Sequence, residues 1–390
     1  LKPSMLKLLA SSARVGRPLL QRNSCSWRLE APLRLRSFAS MTGQTSMILD
    51  VDTGVDDAMA LLLALRCPRV KVLAVTCVHG NVGIDIVLAN TLKVLDAAEA
   101  PLDLPVACGF AAPLVEPVTH CPEIHGQDGL GDLKPAIPAS PRKARKEHAV
   151  QLLNETLRAS DGGVTVMALA PLTNIAVAIR TDPELWRSKL GRLVWMGGGV
   201  AGGGNARSWS EANASYDPEA AHMVLTSGLP ILMYPWDAFL KVEYPKQELL
   251  ALGIPDVDED PAGQAEAEGS CSQASQLAGR LLYRDMRHFN LDGAMIGDAG
   301  AVAAALCESE GALKTRRLHV AVELQGQHTR GMTVCDLRGF VAPPDEAKKP
   351  PNVDVVMDFD PMALKALFTR YVLLDGKSDA DDPPTKKQRY

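Results

Sequence analysis

Four aspartates lie within eight consecutive positions, in the stretch ILDVDTGVDDAMALLLAL that covers residues 48–65. They are Asp50, Asp52, Asp56 and Asp57, and they stand between an apolar run and a helix-like run. Carboxylates this close repel one another, and burying them as anions is unfavourable. A bound cation would remove the repulsion, and a cluster of oxygen ligands suits Ca²⁺ or Mg²⁺ better than zinc. The spacing therefore predicts a metal site.

The start of a helix offers a simpler explanation for part of this cluster. Acidic side chains are favoured there by the helix dipole, and one aspartate can cap the helix. Gly54 lets the chain turn between the predicted strand and helix. Four carboxylates exceed what a cap requires, so we favour the metal site. Such a site predicts hydrolysis, because a cation lowers the pKa of a bound water and a nearby carboxylate can take its proton.

Phosphatase chemistry also fits part of the stretch. DVDTG, residues 50–54, resembles the DxDx(T/V) pattern of the haloacid dehalogenase family, in which one aspartate is the nucleophile. The adjacent pair Asp56 and Asp57 is not part of that pattern. The sequence also offers no convincing later lysine and acidic pair in a suitable setting, so this alternative is the weaker one.

From about residue 46 onward, short β-branched apolar runs alternate with helix-like segments. Predicted strands cover residues 46–51, 70–78, 163–170, 192–199, 230–236, 318–324, 331–337 and 352–360, and predicted helices cover residues 56–66, 84–98, 172–180, 218–227, 270–306 (broken at Asp292-Gly293) and 361–371. Near-continuous apolar strands that alternate with helices are typical of a parallel sheet covered on both faces. We therefore predict an α/β fold, with a mostly parallel central sheet flanked by helices as in a Rossmann-like open sheet.

Polar clusters follow several of the predicted strands. The four aspartates follow the first strand, HGN (residues 79–81) the second, PLTN (171–174) another and GGGVAGGGN (197–205) the next. Ligands of open α/β sheets bind beyond the carboxyl ends of the strands. The functional site is thus expected at the carboxyl ends of the strands.

The composition narrows the class of protein. The 390 residues are 46% hydrophobic and carry a net charge of −5, so there is no basic excess for nucleic acid to recognise. No apolar run approaches the roughly 20 residues that span a membrane. None of the eight cysteines forms a CxxC pair, which favours reduced thiols over a disulfide or zinc framework. We expect a small-molecule substrate, with no nucleic acid or membrane partner.

The two ends of the chain differ from the rest. Residues 1–40 carry eight lysines or arginines and one acid, and they are rich in serine. This composition predicts a mitochondrial targeting leader; the alternative is a disordered basic leader on a cytoplasmic protein. We predict a leader at residues 1–45, a single domain at 46–375 with an acidic flexible insertion at 254–275, and a disordered tail at 376–390.

DVDTGVDDA, residues 50–58, is similar to the DxDxGxDDA motif of the nucleoside hydrolases of the inosine-uridine preferring type. Five more segments resemble motifs of that family in the same order: VHGNVG (78–83), IHGQDGLGD (124–132), ALAPLTNIA (168–176), VWMGGGVAGGGNARSWSEANASYDPEAAHMV (194–224) and TRGMTVCD (329–336). The resemblance spans residues 46 to 371. It implies Ca²⁺-dependent hydrolysis of the N-glycosidic bond of ribonucleosides, which yields free base and ribose.

The resemblance also implies which residues hold the metal. Asp52, Asp57 and Asp298 would supply carboxylate ligands, and Leu169 would supply its backbone carbonyl. Asp52 would in addition be the general base that takes a proton from water. Asp50 would support the ligands from behind. Judged without the resemblance, Asp298 could simply cap the helix that starts after it.

Five residues would bind the ribose by the same resemblance: Asp56, Asn81, Asn205, Glu211 and Asn213. Positive charge builds at C1′ as the bond to the base breaks, so fixed hydroxyls and nearby negative oxygens favour the reaction. Asn81 and Asn205 each stand beside a glycine, and turn chemistry is the alternative explanation for both. The resemblance further implies a homo-oligomer, a dimer or a tetramer.

One position departs from the family pattern. Many members carry a histidine that protonates the leaving base directly before the late metal-binding aspartate, and here that residue is Gly297. His125, whose loop faces the base in the family, is the first candidate to replace it, and His288 and Tyr283 are others. Solvent could also supply the proton. If nothing does, the chain would be a non-catalytic nucleoside- or ribose-binding relative. Trp209 is a candidate to stack on the base.

Overall fold

A central sheet of eight strands organises the computed structural model, which describes residues 44–256, 271–339 and 349–376. The strand order is β3-β2-β1-β4-β5-β6-β12-β9, with β1 at Thr45–Val51, β2 at Val70–Cys77, β3 at Val106–Cys108, β4 at Val164–Ala168, β5 at Leu190–Met196, β6 at Ile231–Tyr234, β9 at Leu313–Leu318 and β12 at Val353–Phe359. All neighbours in this sheet pair in parallel except β9, which runs antiparallel at one edge. The predicted α/β fold with a mostly parallel sheet is confirmed.

Helices cover both faces of this sheet. They are α1 (Val55–Arg66), α2 (Ile84–Ala97), α3 (Pro122–His125), α4 (Ala149–Ala159), α5 (Thr173–Thr181), α6 (Pro183–Lys189), α7 (Ala212–Tyr216), α8 (Pro218–Leu225), α9 (Trp236–Phe239), α10 (Lys246–Ala251), α11 (Gln273–Phe289), α12 (Gly297–Cys307) and α13 (Pro361–Phe368). A 3₁₀ turn at Glu308–Glu310 follows α12, and a π-helix at Thr369–Leu373 follows α13. None of the helices described here is long and apolar enough to span a membrane.

The core explains why the strands are apolar throughout. Met47 and Leu49 of β1 pack on the face that α1 covers, whereas Ile48 between them packs on the opposite face. All three side chains are fully buried. A strand covered on both faces has no side that favours polar residues, so the run of apolar residues follows from the fold.

The structure refines the predicted elements in the second half of the chain. The strand predicted at 318–324 is two strands, since β9 ends at Leu318 and β10 (Val320–Val322) pairs with β11 (Thr333–Cys335) in a separate ribbon. The helical region predicted at 270–306 is interrupted by β8 (Gly293–Met295), which pairs with β7 (Glu243–Pro245). β3, with three residues, and α6, with seven, were not predicted, because short elements give too few residues to show a period. The prediction also missed α4, although its 11 residues are enough to show one.

Three predicted segments fall mostly outside the described residues. They are the leader at 1–45, the insertion at 254–275 and the tail at 376–390. At their described borders, β1 starts at Thr45 and α11 starts at Gln273, so both elements extend slightly into the predicted segments.

Candidate active site

The four aspartates lie at the carboxyl end of β1 and in the first turn of α1, where the sequence placed them. Asp50, Asp52 and Asp57 are buried to within 1% of their surface. The side chain of Asp56 is 22% exposed and lines a cavity. Three carboxyl groups are therefore enclosed by protein, and the fourth faces open space.

Asp57 holds the turn between β1 and α1. Its carboxylate accepts hydrogen bonds from the backbone N–H of Asp52 at 3.2 Å and of Gly54 at 3.0 Å. It also accepts from Nδ2 of Asn81 at 3.1 Å, while the N–H of Asn81 donates to Oδ2 of Asp52 at 2.8 Å. A Cβ at Gly80 would lie 1.8 Å from that Oδ2, so only glycine allows the loop after β2 to approach so closely. Asp52 and Asp57 thus fix the backbone and the side chain of Asn81 by hydrogen bonds.

Asp50 lies behind the others and joins three parts of the site. Its Oδ1 accepts from Oγ1 of Thr76 at 2.6 Å and from Nδ2 of Asn174 at 2.8 Å. The same Nδ2 donates to the carbonyl of Cys77. Burial raises the pKa of Asp50 to about 7. Asp50 thus contacts β2 and α5, and its supporting role stays a prediction.

Carboxylate oxygens of Asp56, Asp57 and Asp298 lie within 4.8 Å of one another. Asp298 comes from the first turn of α12, on the far side of the chain in sequence. Oδ1 of Asp298 and Oδ1 of Asp52 are both buried and accept no hydrogen bond from the described residues. The structure therefore brings two of the three predicted carboxylate ligands, Asp57 and Asp298, together with Asp56. The third predicted ligand, Asp52, has a carboxylate oxygen without a hydrogen-bond partner among the described residues.

Burial and mutual repulsion shape the electrostatics of this cluster. Burial raises the pKa of Asp57 to about 8, with the charge of Asp56 adding to the effect. The pKa values of Asp52 and Asp298 lie well above their usual range for the same reasons. Within the described part of the chain, no lysine or arginine forms an ion pair with these three. A divalent cation that prefers oxygen ligands fits such an uncompensated set.

Glu211 and Asn213 hold the loops after β4 and β5. Glu211 caps α7, and it accepts from the N–H of Gly198 at 2.7 Å and of Asn213 at 2.9 Å. Burial raises the pKa of Glu211 to about 7. Nδ2 of Asn213 donates to the carbonyl of Leu169 at 3.1 Å and to that of Met196 at 3.0 Å. A carbonyl oxygen has two lone pairs, so Leu169 keeps one for a further ligand.

A cavity of about 610 Å³ opens above these groups, which is a usual size for a small-molecule site. Eight of the ten predicted site residues line it: Asp56, Asn81, His125, Leu169, Asn205, Glu211, Asn213 and Asp298. Asp52 and Asp57 are buried and do not line it. Asn205 is half-buried and accepts from the N–H of Ala212 at 2.8 Å. Trp209 is 51% exposed and is not among the lining residues.

His125 is the last residue of α3 and is buried beside the aspartates. Its Nδ1 accepts from the N–H of Val55 at 3.2 Å and lies 3.9 Å from Oδ1 of Asp56. A ring whose Nδ1 accepts carries its proton on Nε2 and is neutral. Burial lowers the pKa of His125, which further favours the neutral form. The structure thus favours His125 as a hydrogen-bond donor over a role as proton donor.

Gly297 adopts a conformation that suits glycine, with φ of +44°. A Cβ at this position would lie 2.4 Å from Cε2 of Phe239 and 3.0 Å from Cβ of Asp56. The ring of Phe239 lines the cavity. The space that a side chain at position 297 would need is therefore occupied by Phe239.

The other two predicted proton donors, Tyr283 and His288, make hydrogen bonds elsewhere. Tyr283 is buried and its hydroxyl donates to the carbonyl of Ile254 at 2.7 Å. His288 is exposed, and its Nε2 lies 2.8 Å from the carbonyl of Glu123. Neither side chain is among the residues that line the cavity.

Five lining residues with ionisable side chains were not singled out from the sequence: His120, Cys121, Glu123, Tyr216 and Asp285. His120 and Cys121 shortly precede the IHG segment, and Tyr216 lies next to the DPEAA segment, so proximity to a motif was an available signal. Asp285 lies on α11, outside every motif, and only the three-dimensional arrangement shows its place.

Known proteins are similar to this chain over most of its length. The sequence model of the family described as inosine-uridine preferring nucleoside hydrolase matches residues 47–366. The chain is 33% identical to RihB, a pyrimidine-specific ribonucleoside hydrolase of Escherichia coli (strain SE11), over 80% of this chain and 93% of that protein.

Solved structures agree with this. A plant nucleoside hydrolase, the PpNRh1 enzyme, superposes with a TM-score of 0.72 at 28% identity, covering 84% of this chain and 99% of its own. A purine-preferring ribonucleoside hydrolase from Gardnerella vaginalis superposes with a TM-score of 0.71 at 27% identity, covering 84% and 98%. The two solved structures share the fold of this chain, and the names of RihB and of the Gardnerella vaginalis enzyme specify different bases.

Proposed function

Because the chain belongs to the inosine-uridine preferring nucleoside hydrolase family, whose members act on N-glycosyl bonds, we propose that it hydrolyses ribonucleosides to free base and ribose in a Ca²⁺-dependent reaction. The observation that carries the proposal is the buried set of uncompensated carboxyl groups beside a cavity of nucleoside size. Such groups are unfavourable without a cation, and a cation at that place serves hydrolysis.

The residues that would hold the ion are Asp52, Asp57, Asp298 and the carbonyl of Leu169. Oδ1 of Asp52 and Oδ1 of Asp298 accept no hydrogen bond in the described structure, which leaves both oxygens for a ligand. Asp56 contributes an oxygen to the same cluster. When bound, the cation lowers the pKa of a water and neutralises the surrounding carboxylates. Oxygen ligands alone favour Ca²⁺ or Mg²⁺, and the family resemblance favours Ca²⁺.

Asp52 is suited to the role of general base. Its Oδ2 is fixed by the N–H of Asn81, whereas its Oδ1 has no protein partner. Oδ2 therefore positions the carboxylate, and the lone pairs of Oδ1 are open both to the ion and to the proton of the attacking water. Asp57 in turn fixes the backbone N–H of Asp52, so the base is held from both sides.

The residues around the cavity floor are suited to hold the ribose. Asp56 faces the cavity and can accept from a sugar hydroxyl. Asn81, Asn205 and Asn213 line the same cavity and are each fixed by hydrogen bonds to backbone or carboxylate groups. The carboxyl of Glu211 adds negative charge where positive charge develops at C1′.

A ribose-release assay tests the proposal. The full chain is incubated with inosine, uridine, adenosine or cytidine, with and without a chelator, and reducing sugar is measured. Ribose release that the chelator abolishes and Ca²⁺ restores would support it. Binding of nucleosides without release would instead support the non-catalytic relative, which the glycine at position 297 motivates. Release of phosphate from a nucleotide, with no ribose from any nucleoside, would support the phosphatase alternative.

The metal site has a test that does not depend on turnover. Calorimetric titration of metal-free protein with Ca²⁺ should show binding to the wild type and weak or absent binding to Asp298→Asn. Asp161→Asn removes an exposed carboxylate elsewhere and is the matched control. Equal binding by all three proteins would contradict the assigned ligands.

A further inference from the structure

Asp285 lies on α11 and lines the same cavity as Asp56 and Asn81. The wall that α11 and β8 contribute consists of Asp285, Phe289, Leu291, Gly293, Ala294 and Met295. Asp285 is the one ionisable residue in that list, and Phe289 follows it by one helical turn on the same face. The side chain of Asp285 is 20% exposed. A single carboxyl group thus reaches the cavity from an otherwise apolar wall.

The surroundings of Asp285 keep part of its population protonated near neutral pH. Burial raises the pKa of this carboxyl to about 6, and the charge of Asp56 raises it as well. Nη1 of Arg284, 3.0 Å from Oδ1, opposes these effects. Glu123 and His125 on the α3 segment line the cavity too. In other glycosidases, a carboxyl group whose pKa is raised by an apolar environment serves as the general acid.

Arg284 also fixes the position of the helix. Its Nη1 donates to the carbonyl of Ile124 at 2.6 Å, and its Nε donates to that of Gly131 at 3.3 Å. A Cβ at Gly131 would lie 2.9 Å from Cδ of Arg284, so glycine permits this approach. The residue next to Asp285 is therefore clamped to the loop that carries His125, and the carboxyl is held at a defined place.

The leaving base of a nucleoside needs a proton, since a ring anion is a poor leaving group. We propose that Asp285 donates this proton, an inference that rests on the proposed function. It makes Asp285 a catalytic residue for the same reaction, supplied by α11 instead of by the position before Asp298.

Most other ionisable groups of the described cavity lining are less suited to this task. Asp56, Glu211 and Asp298 belong to the metal and ribose set described above. Burial raises the pKa of Cys121 to about 12 and that of Tyr216 further, so neither gives up a proton readily. His125 is held as a neutral ring, as described above. His120 and Glu123 remain as rivals, and they enter the experiment as variants.

The C1′–N bond breaks, and its electron pair passes to the base. A nitrogen or oxygen of the base takes the proton of the Asp285 carboxyl. The oxygen of water bonds to C1′, and the water proton passes to Asp52. Solvent then takes the proton from Asp52 and returns one to Asp285, so that nucleoside and water become free base and ribose.

Two substrates distinguish protonation of the leaving group from any other role of Asp285. Nucleosides need the proton, whereas p-nitrophenyl β-D-ribofuranoside releases a stable phenolate without one. Asp285→Asn keeps an oxygen that can accept from Arg284 and removes the acid. We expect its kcat for uridine or inosine to fall about 100-fold or more, and its kcat for the nitrophenyl riboside to stay unchanged. Asp292→Asn, an exposed carboxylate beyond the end of α11, should leave both rates unchanged.

The pH profile gives a second readout. The wild-type kcat for nucleosides should decline as the pH rises through the range in which Asp285 loses its proton, because the acid form is required. Asp285→Asn should lose that decline, and Asp285→Glu should restore part of the rate. Thermal unfolding of each variant checks that the fold is intact.

Several outcomes would overturn the proposal. One is an equal loss of kcat on both substrates in Asp285→Asn, which indicates a positioning or folding role. Another is no loss of kcat on either substrate. A third is a loss of kcat on nucleosides alone in His120→Gln or Glu123→Gln instead of in Asp285→Asn. Failure of the wild type to release sugar from any nucleoside or from the nitrophenyl riboside would refute the proposed function itself. That result is distinct from the others, because the wild type is active in all of them.

Discussion

Replacing Gly297 by alanine tests whether the glycine is imposed by its surroundings. Two effects oppose the new methyl group. The backbone at this position has φ of +44°, a region that disfavours a residue with a Cβ by roughly 1–2 kcal/mol. The methyl carbon would also lie 2.4 Å from a ring carbon of Phe239, where carbon atoms normally approach to about 3.5–4.0 Å. Crowding of this kind destabilises by about 1–3 kcal/mol.

The sum predicts that Gly297→Ala lowers the free energy of unfolding by about 2–5 kcal/mol, a large share of the 5–15 kcal/mol of a usual domain. Urea denaturation of wild type and variant, with saturating Ca²⁺ in both, measures the difference. Gly83→Ala is the matched control, because its φ is −60° and no atom lies within 4 Å of the added carbon.

A double-mutant cycle with Phe239→Ala separates the two effects. Removing the ring relieves the crowding and leaves the backbone strain, so alanine at position 297 should cost about 1–2 kcal/mol in the Phe239→Ala background. A cost below about 0.5 kcal/mol for Gly297→Ala in the wild-type background would refute the reasoning, as would an equal cost in both backgrounds. Histidine at position 297 should behave at least as badly as alanine, because it places a larger group in the same space.

Three further predictions concern the aspartates and the leader. Asp52→Asn should lower kcat for ribose release by several orders of magnitude, because it removes a base and weakens the metal site together; near-normal turnover would contradict the assignment. In metal-free protein, burial raises the pKa of Asp57 to about 8, so the folded state holds more protons than the unfolded state between pH 4 and 8. The free energy of unfolding, measured by urea denaturation, should therefore fall as the pH rises through this window. Added Ca²⁺ should remove that dependence in the wild type but not in Asp298→Asn. The full tagged chain should locate to mitochondria and the chain without residues 1–40 should not; a full chain found in the cytoplasm would favour the cytoplasmic alternative.

The sequence predicted much of the fold, because the decisive signal is local. Strands such as β1 are apolar over their whole length since both faces are covered, and this pattern is visible without a structure. The place of Asp52 and Asp57 could also be predicted, because both follow a predicted strand and a site in such a sheet lies beyond the strand ends. The predicted family membership is confirmed by the match over residues 47–366.

Contacts between distant segments could not be predicted in the same way. Nothing in the sequence near Gly297 indicates that Phe239, 58 positions earlier, fills its side-chain space. Asp285 belongs to a helix with no motif, and it reaches the cavity because Arg284 is tied to the segment that carries His125. Neither arrangement has a pattern in the order of residues, because each depends on how separate elements pack.

The apolar wall has a consequence for how base preference changes within the family. The groups assigned to the metal and the sugar come mostly from loops at the ends of β1, β2, β4 and β5, whereas the wall comes from α11 and β8. On the proposed function, substitutions of the apolar wall residues Phe289, Leu291 and Met295 should alter the choice of base, whereas Asp285 must stay because it supplies the proton. A relative named as pyrimidine-specific and a solved structure named as purine-preferring both match most of this chain, so proteins similar to it carry names that specify different bases. The apolar wall is thus the part of the cavity where a change of base preference would leave the groups assigned to the metal and the sugar unaltered.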